Sequence, residues 1–370
     1  MGVASACCLL AGTLLGYQEL QVLGAAGFIG LLLALGWALP ASALLVDRLV
    51  EPQRVARGDP AVGVLHVRHV GRFPVGASTA ADRVASEWVS VDVPGLRPGG
   101  QRALTYRLPT TRRGHYRVGP LTLTRADPLR LVRRDVGAGP AADLWVHPRV
   151  LPVSLAPLGR TRDLDGPSAD QAMDGSITFR SLREYVAGDD LRRVHWRSTA
   201  RTGTLMVRES VDPSRPDVAL IIDDRANAYA TEEHLEQAVD LTASLAVSLL
   251  AAGFRCQVTS VTGRTVGAGS RTADLIGLLD ALAELPAQHD GAYPFGDAVA
   301  ALPGGSAAVL VSGRPTEHEL ELLLAARDRY RFLLALCVTD GSAPRCRGLH
   351  VLDAPTASLL VRRWELEAGR

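Results

Sequence analysis

The sequence predicts a multidomain chain: an N-terminal transmembrane helical hairpin, an immunoglobulin-like β-sandwich, and a C-terminal doubly wound α/β domain. Three observations predict it. Two uncharged apolar runs fill most of the first 46 residues, short alternating runs punctuated by Gly and Pro follow, and apolar strands then alternate with amphipathic helical segments. At 370 residues and 47% apolar composition, the chain is long enough for two or three cored domains and too apolar to be disordered. Its 40 basic and 39 acidic residues nearly cancel, so whole-chain charge argues for neither nucleic acid nor an acidic partner. Every basic residue is Arg, an excess that matches the Ala, Gly and Val richness and so does not by itself indicate phosphate recognition. The five Cys lack CxxC spacing, which leaves neither a disulfide framework nor a zinc site.

The hairpin is assigned to 1–48. Met1 to Tyr17 is a 17-residue uncharged run and Val22 to Val46 a 25-residue one, with only Gln18, Glu19, Leu20 and Gln21 between them. Arg48, Arg54 and Arg57 follow the second run while the turn carries no basic residue, so the positive-inside rule places the C-terminal domains in the cytoplasm. Ala41-Ser42-Ala43 would suit a signal-peptide cleavage site, but there is no basic n-region and the apolar stretch is too long.

The β-sandwich is assigned to 49–160. Strands are predicted at Val62 to Val70, Trp88 to Val93, Arg102 to Leu108 and Tyr116 to Thr124, with turn signals at Pro94-Gly95, Pro98-Gly99-Gly100 and Gly119-Pro120 recurring at strand-like spacing. An Arg-rich segment, 161–215, joins it to the α/β domain, 216–345, and 346–370 reads as a partly helical tail. In the α/β domain, Asp217 to Asp223 is an apolar run ending in a carboxylate, as in a buried parallel strand whose carboxyl end faces a crevice. Leu235, Ala238, Val239, Thr242, Leu245, Ala246 and Leu249 repeat at helical spacing. Further strands are predicted at Cys256 to Val261, Ala307 to Ser312 and Arg331 to Val338, with a capping box at Thr316 and Glu319 before the helix between the last two.

The segment from Phe179 to Glu209 holds seven Arg and four acids. Its Phe179, Arg183, Tyr185, Gly188, Asp189, Arg192, Trp196, Ala200, Arg201 and Leu205 resemble the motif of the bacterial family called domain of unknown function 58 (DUF58). Arg113-Gly114, Gly119-Pro120-Leu121, Asp127-Pro128-Leu129 and Val146-His147-Pro148-Arg149 extend the resemblance over nearly the whole chain. It implies a membrane protein whose α/β domain is similar to von Willebrand factor type A domains, encoded beside MoxR-type AAA+ ATPases and transglutaminase-like proteins. It implies no catalytic activity.

Type A domains hold Mg²⁺ through Asp-x-Ser-x-Ser after the first strand, completed by a Thr and an Asp from later loops. The aligned residues are Asp223, Arg225 and Asn227, and Gly313-Arg314-Pro315 stands where a later Asp is often found. The expectation is a metal site that has degenerated, with Arg225 paired to Asp223 or Asp224, and no cofactor.

Asp189, Asp190 and His195 could serve acid/base chemistry, which keeps an envelope-associated hydrolase as the alternative; the chain has no HExxH, GxSxG or Walker A motif. Arg192, Arg193, Arg197 and Arg201 with Trp196 could track nucleic acid, but interleaved acids argue against it. The bland reading has a helix from Asp190 to Ala200, Asp189 capping it and Trp196 buried against the α/β sheet, with Leu205 to Arg208 as an edge strand. The segment is then an interdomain clasp or a partner-docking face, and the leading expectation is a membrane-anchored adaptor for a MoxR-type AAA+ ATPase.

Overall fold

The computed structural model describes residues 2–38, 44–84, 87–126, 133–137, 139–155, 179–184, 194–210, 218–269, 271–288 and 295–368. The architecture is mixed: an apolar helical N-terminus, β-sheets and an α/β domain. Two compact units result, Met1–Pro148 and Arg149–Arg370.

In the first unit, α1 (Gly2–Leu15) and α2 (Gln18–Ala38) pair as an antiparallel hairpin. Small residues set the spacing, because a Cβ on Gly24 would lie 2.7 Å from the backbone nitrogen of Leu9 and one on Gly27 would strike the Ser5 hydroxyl. Among the described residues only Gln18–Gly36, with a mean hydropathy of 1.7, is a helix long and apolar enough to cross a membrane; α1 is shorter. The apolar run predicted to continue to Val46 does not stay helical. α2 ends at Ala38 and a strand begins at Leu44, where alternation puts Leu44 and Val46 against a β core and leaves Leu45 exposed, so Leu44 and Val46 are apolar for a reason other than lipid.

Two sheets share that core. One is β1 (Leu44–Glu51), β3 (Ala61–His69) and β6 (Gln101–Leu108), all antiparallel. The other orders β2 (Arg54–Ala56), β10 (Ala142–His147), β7 (Gly114–Val118), β4 (Ser78–Val84), β8 (Thr122–Ala126) and β9 (Arg133–Gly137), with β5 (Glu87–Val93) also on β4. Leu65, Val67 and Leu108 of the first face Ala80, Val84, Val118, Leu144 and Val146 of the second. The predicted strand Tyr116 to Thr124 is two strands, because Gly119-Pro120 turns the chain and Pro120 donates no ladder bond.

Arg48, taken from sequence as a juxtamembrane charge, lies inside this core. Its Nη1 is 2.8 Å from both carboxylate oxygens of Asp82, and Tyr106 donates to the same carboxylate. Arg57 is buried too. Burial, and then the neighbouring Asp82, push the Tyr106 hydroxyl well above its ordinary range, so it stays a donor. Room for the Tyr106 ring comes from Gly63, its cross-strand partner, since a Cβ there would overlap the ring. Gly63→Ala is therefore expected to destabilise the two-sheet domain by about 1–3 kcal/mol; β3 amide exchange unchanged from wild type would contradict this.

The second unit is a six-stranded sheet ordered β15 (Thr265–Gly269), β14 (Cys256–Ser260), β13 (Val218–Ile222), β16 (Gly305–Ser312), β17 (Tyr330–Val338), β18 (His350–Ala354), parallel except for β15. β13 is buried at every position, as a central parallel strand requires. α4 (Glu232–Ala251), α5 (Leu275–Ala283) and α8 (Ala357–Ala368) pack against one apolar cluster, while α6 (Phe295–Ala300) and α7 (Glu317–Leu324) pack against another. The stretch from 346 is not a tail. β18 completes the sheet and Leu360, Val361 and Trp364 of α8 enter the core, which the short strand His350-Val351-Leu352-Asp353-Ala354 gave little periodicity to announce. Residues 149–155, assigned from sequence to the β-sandwich, also belong here. Arg149 and Leu151 donate backbone N–H groups to Asp240 and Ser244 of α4, and Trp364 donates to Ser154.

Candidate functional site

Two places collect the chemistry-bearing residues. The first lies where β13 and β16 sit side by side while their crossovers leave in opposite directions, the position at which open α/β sheets commonly form a crevice. The polypeptide leaving β13 carries Asp223 and Asp224, both fully buried, then Arg225. Arg225 grips Asp223 with two bonds, Nε to Oδ1 and Nη2 to Oδ2, each 2.9 Å, while its Nη1 donates to Glu319 Oε1 at 2.7 Å. Asp223 Oδ2 also accepts from the Ser312 hydroxyl at 2.7 Å, and the Asp223 carbonyl accepts from Tyr229. Asp224 is held separately by the Thr262 hydroxyl at 2.6 Å.

Glu319 is placed by the helix that carries it. The capping box at the start of α7 is present: Thr316 Oγ1 accepts from the Glu319 amide, and Glu319 Oε2 accepts from the Thr316 amide. The other oxygen, Oε1, is thereby aimed at Arg225. Burial works to raise the Glu319 carboxyl, but the hydrogen bonds and charge of Arg225 and the Thr316 donors outweigh it and hold the group below its ordinary value. The Asp223 hydrogen bonds, against the opposing effect of burial, raise the Arg225 guanidinium further still. Asn227 sits exposed in the short 3₁₀ turn after Arg225 and joins none of these bonds. Gly313 is required because a Cβ would run into the carbonyl of Ala228.

This donor set does not suit a divalent cation. Asp223 spends both oxygens on a guanidinium, Arg225 supplies positive charge where an oxygen ligand would be needed, and Asn227 lies aside.

The second place is the Arg-rich segment. Phe179 and Arg183 lie on β11 (Phe179–Glu184), which pairs antiparallel with β12 (Met206–Ser210) in a sheet of two strands, so the predicted edge strand at Leu205 to Arg208 joins β11 rather than the main sheet. Tyr185, Gly188, Asp189, Asp190, Arg192 and Arg193 fall outside the described residues. The helix expected from Asp190 is α3 (Trp196–Thr202), entered through His195, whose Nδ1 lies 2.8 Å from the Ser198 hydroxyl. Gly203 at φ +76° ends it and donates to the Thr199 carbonyl. The Met206 N–H donates to the Thr199 hydroxyl and the His195 N–H to the Met206 carbonyl, so helix and strand close on each other through one side-chain and one backbone acceptor. Trp196 is not buried. It is 67% exposed because it occupies the outer side of a seven-residue helix with no buried position. Arg197, Ala200 and Arg201 are exposed as well: Ala200 lies one turn along from Trp196, and Arg197 and Arg201 form the neighbouring stripe.

The structure brings Asp223 together with Arg225 and adds Ser312, Tyr229 and Glu319, which sequence reasoning did not select. The capping box announced Glu319 as a helix start, but its second oxygen reaching Arg225 is a tertiary contact that spacing cannot reveal.

Against known proteins, no curated sequence matches. Among solved structures, the CARDB domain of the PF1109 protein from Pyrococcus furiosus, in complex with di-metal ions, is 21% identical over 28% of this chain and 91% of its own, at a TM-score of 0.23. The C-terminal domain of wzt is 10% identical over 28% of this chain and 73% of its own, at a TM-score of 0.24. Residues 181–304, which include Arg183 to Met206 of the second place and Asp223 to Thr262 of the first but neither Ser312 nor Glu319, match the family described as protein of unknown function DUF58.

Proposed function

We propose that the chain is a membrane-anchored, cytoplasm-facing adaptor that docks a protein partner, a MoxR-type AAA+ ATPase, through the exposed face of α3. The observation that carries this reading is the exposure of Trp196 on a helix whose neighbouring stripe, Arg197 and Arg201, is exposed too. An exposed aromatic with a stripe of arginines on the adjacent side of the helix is the composition of an interface hot spot, and a helix closed on its own strand presents it. The same exposure favours docking over an interdomain clasp. The β domain reads as an immunoglobulin-like sandwich and the strand order of the α/β domain, with its single antiparallel edge, supports a von Willebrand factor type A-like reading. In that reading the ion pair of Asp223 and Arg225 stands where such domains hold Mg²⁺, so the fold is used for binding without a metal. Tight Mg²⁺ binding abolished by Asp223→Ala would overturn this part.

Detergent co-purification from native membranes tests the adaptor reading. Wild type is expected to bring down the ATPase, and Trp196→Ala with Arg201→Ala to lose it, while amide exchange across β11 and β12 stays unchanged. Recovery of the ATPase with both proteins would move docking elsewhere, and recovery with neither would remove the adaptor reading. A second reading keeps one observation, the 2.8 Å contact of His195 with Ser198, which a hydrolase could use to activate a hydroxyl. Hydrolytic activity lost in His195→Ala would favour it.

A further inference from the structure

The register of the first sheet fixes which end of the β domain follows the apolar helix. Leu44, the first residue of β1, pairs with His69, the last of β3, and Arg68 pairs with Gln101, the first of β6. The loops after His69 and before Gln101 therefore share one end with the start of β1. Six residue steps separate Ala38 from Leu44, which bounds the gap from α2 at roughly 22 Å. Backbone bonds knit the two loops into one tip: Val75 and Leu96 exchange N–H groups and carbonyls at 2.9 Å, and His69 donates to the Gly100 carbonyl.

The chemistry of this tip is one-sided. Residues 68–77 and 94–102 contain Arg68, Arg72, Arg97 and Arg102 and no Asp or Glu, in a chain whose charges otherwise nearly balance. All four arginines are exposed. Phe73 at its apex is 76% exposed, and Val70 is exposed beside it. An exposed aromatic on a short rigid loop, ringed by cations and tethered next to an apolar helix, fits the polar boundary of a bilayer. The arginines match lipid phosphates and the ring enters the headgroup layer.

We propose that this tip seats the β domain on the membrane surface by binding anionic phospholipid headgroups, with Phe73 as the wedge. The proposal rests on the reading of α2 as a membrane helix. Amide hydrogen exchange on the full chain tests both, in nanodiscs containing phosphatidylglycerol, in nanodiscs of phosphatidylcholine alone, and in detergent micelles. The expected result is slow exchange of α2 throughout, with Val70 to Phe73 severalfold slower in the anionic nanodiscs than in either other medium. In an Arg72→Glu, Phe73→Asp variant that difference should vanish while β3 and β6 exchange as in wild type. If α2 is protected but the tip exchanges alike in all three media, the proposal falls and the membrane helix stands. Equal protection in both nanodiscs would overturn the anionic-lipid assignment, and fast exchange of α2 in nanodiscs would overturn the membrane reading and the proposal together.

Discussion

Replacing Arg225 by Met is expected to destabilise the α/β domain by about 2–4 kcal/mol, because it strands a buried carboxylate. Asp223 has no exposure, and without the guanidinium only the Ser312 hydroxyl and the Arg225 backbone N–H remain to its carboxylate. The cost is placed below that of a fully buried pair because the Arg225 side chain is 23% exposed and water can partly replace it. Exchange of β13 and β16 amides in the full chain reads the effect locally. Asp223→Asn with Arg225→Met removes both charges and should recover at least half of the loss, since the penalty lies in the unpaired charge. The pH dependence follows from Glu319. Its folded carboxyl is held below the ordinary value of 4.5, so its stabilising contribution is fully present above that value and is lost as pH falls through the lower folded one. In Arg225→Met that part of the acid destabilisation should shrink. A single variant as stable as wild type would show that the ion pair is incidental.

Legibility from the sequence followed burial. β13, β14, β16 and β17 and the helix α4 were readable because each is apolar over enough residues to fix its period, and the predicted bounds fall within a few residues of those observed. β15 escaped because Thr265-Val266-Gly267-Ala268-Gly269 has one buried hydrophobic residue, and Gly267 is there to admit Leu278. The end of the apolar helix escaped for the opposite reason: Leu44-Leu45-Val46 is apolar enough to be read as span, although Leu44 and Val46 face a protein core. At the candidate site, Asp223 was legible from its position at a strand end. The geometry that gives it meaning comes from Arg225 two residues on and Glu319 ninety-six residues on, and only the first of those is local. Trp196 shows the limit most directly, since a Trp four residues from an Arg fits a buried stripe and an exposed one equally well.

The largest effect is expected at the other ion pair, where Asp82→Ala should destabilise the two-sheet domain by about 3–5 kcal/mol. Arg48 stands on β1 and Tyr106 on β6, in one sheet, while Asp82 stands on β4 in the other, so the carboxylate ties the two layers together. The side chains of Arg48 and Asp82 are each 2% exposed, which leaves no water to take over either charge. Even with Asp82 present the Arg48 Nε has no partner among the described residues, and without Asp82 the guanidinium keeps only the neutral Pro140 carbonyl, which accepts from Nη2. Exchange of β1 and β4 amides should rise in Asp82→Ala, and sites in β13 should not change, because they belong to the other compact unit. A triple variant, Arg48→Met with Asp82→Leu and Tyr106→Phe, tests whether the network stabilises or only specifies. If the charges merely offset their own desolvation, an apolar replacement of similar volume recovers most of the stability. If the triple variant stays as unstable as Asp82→Ala, the ion pair itself contributes net stability, and the two-sheet core depends on a charge that sequence reading assigned to the membrane surface.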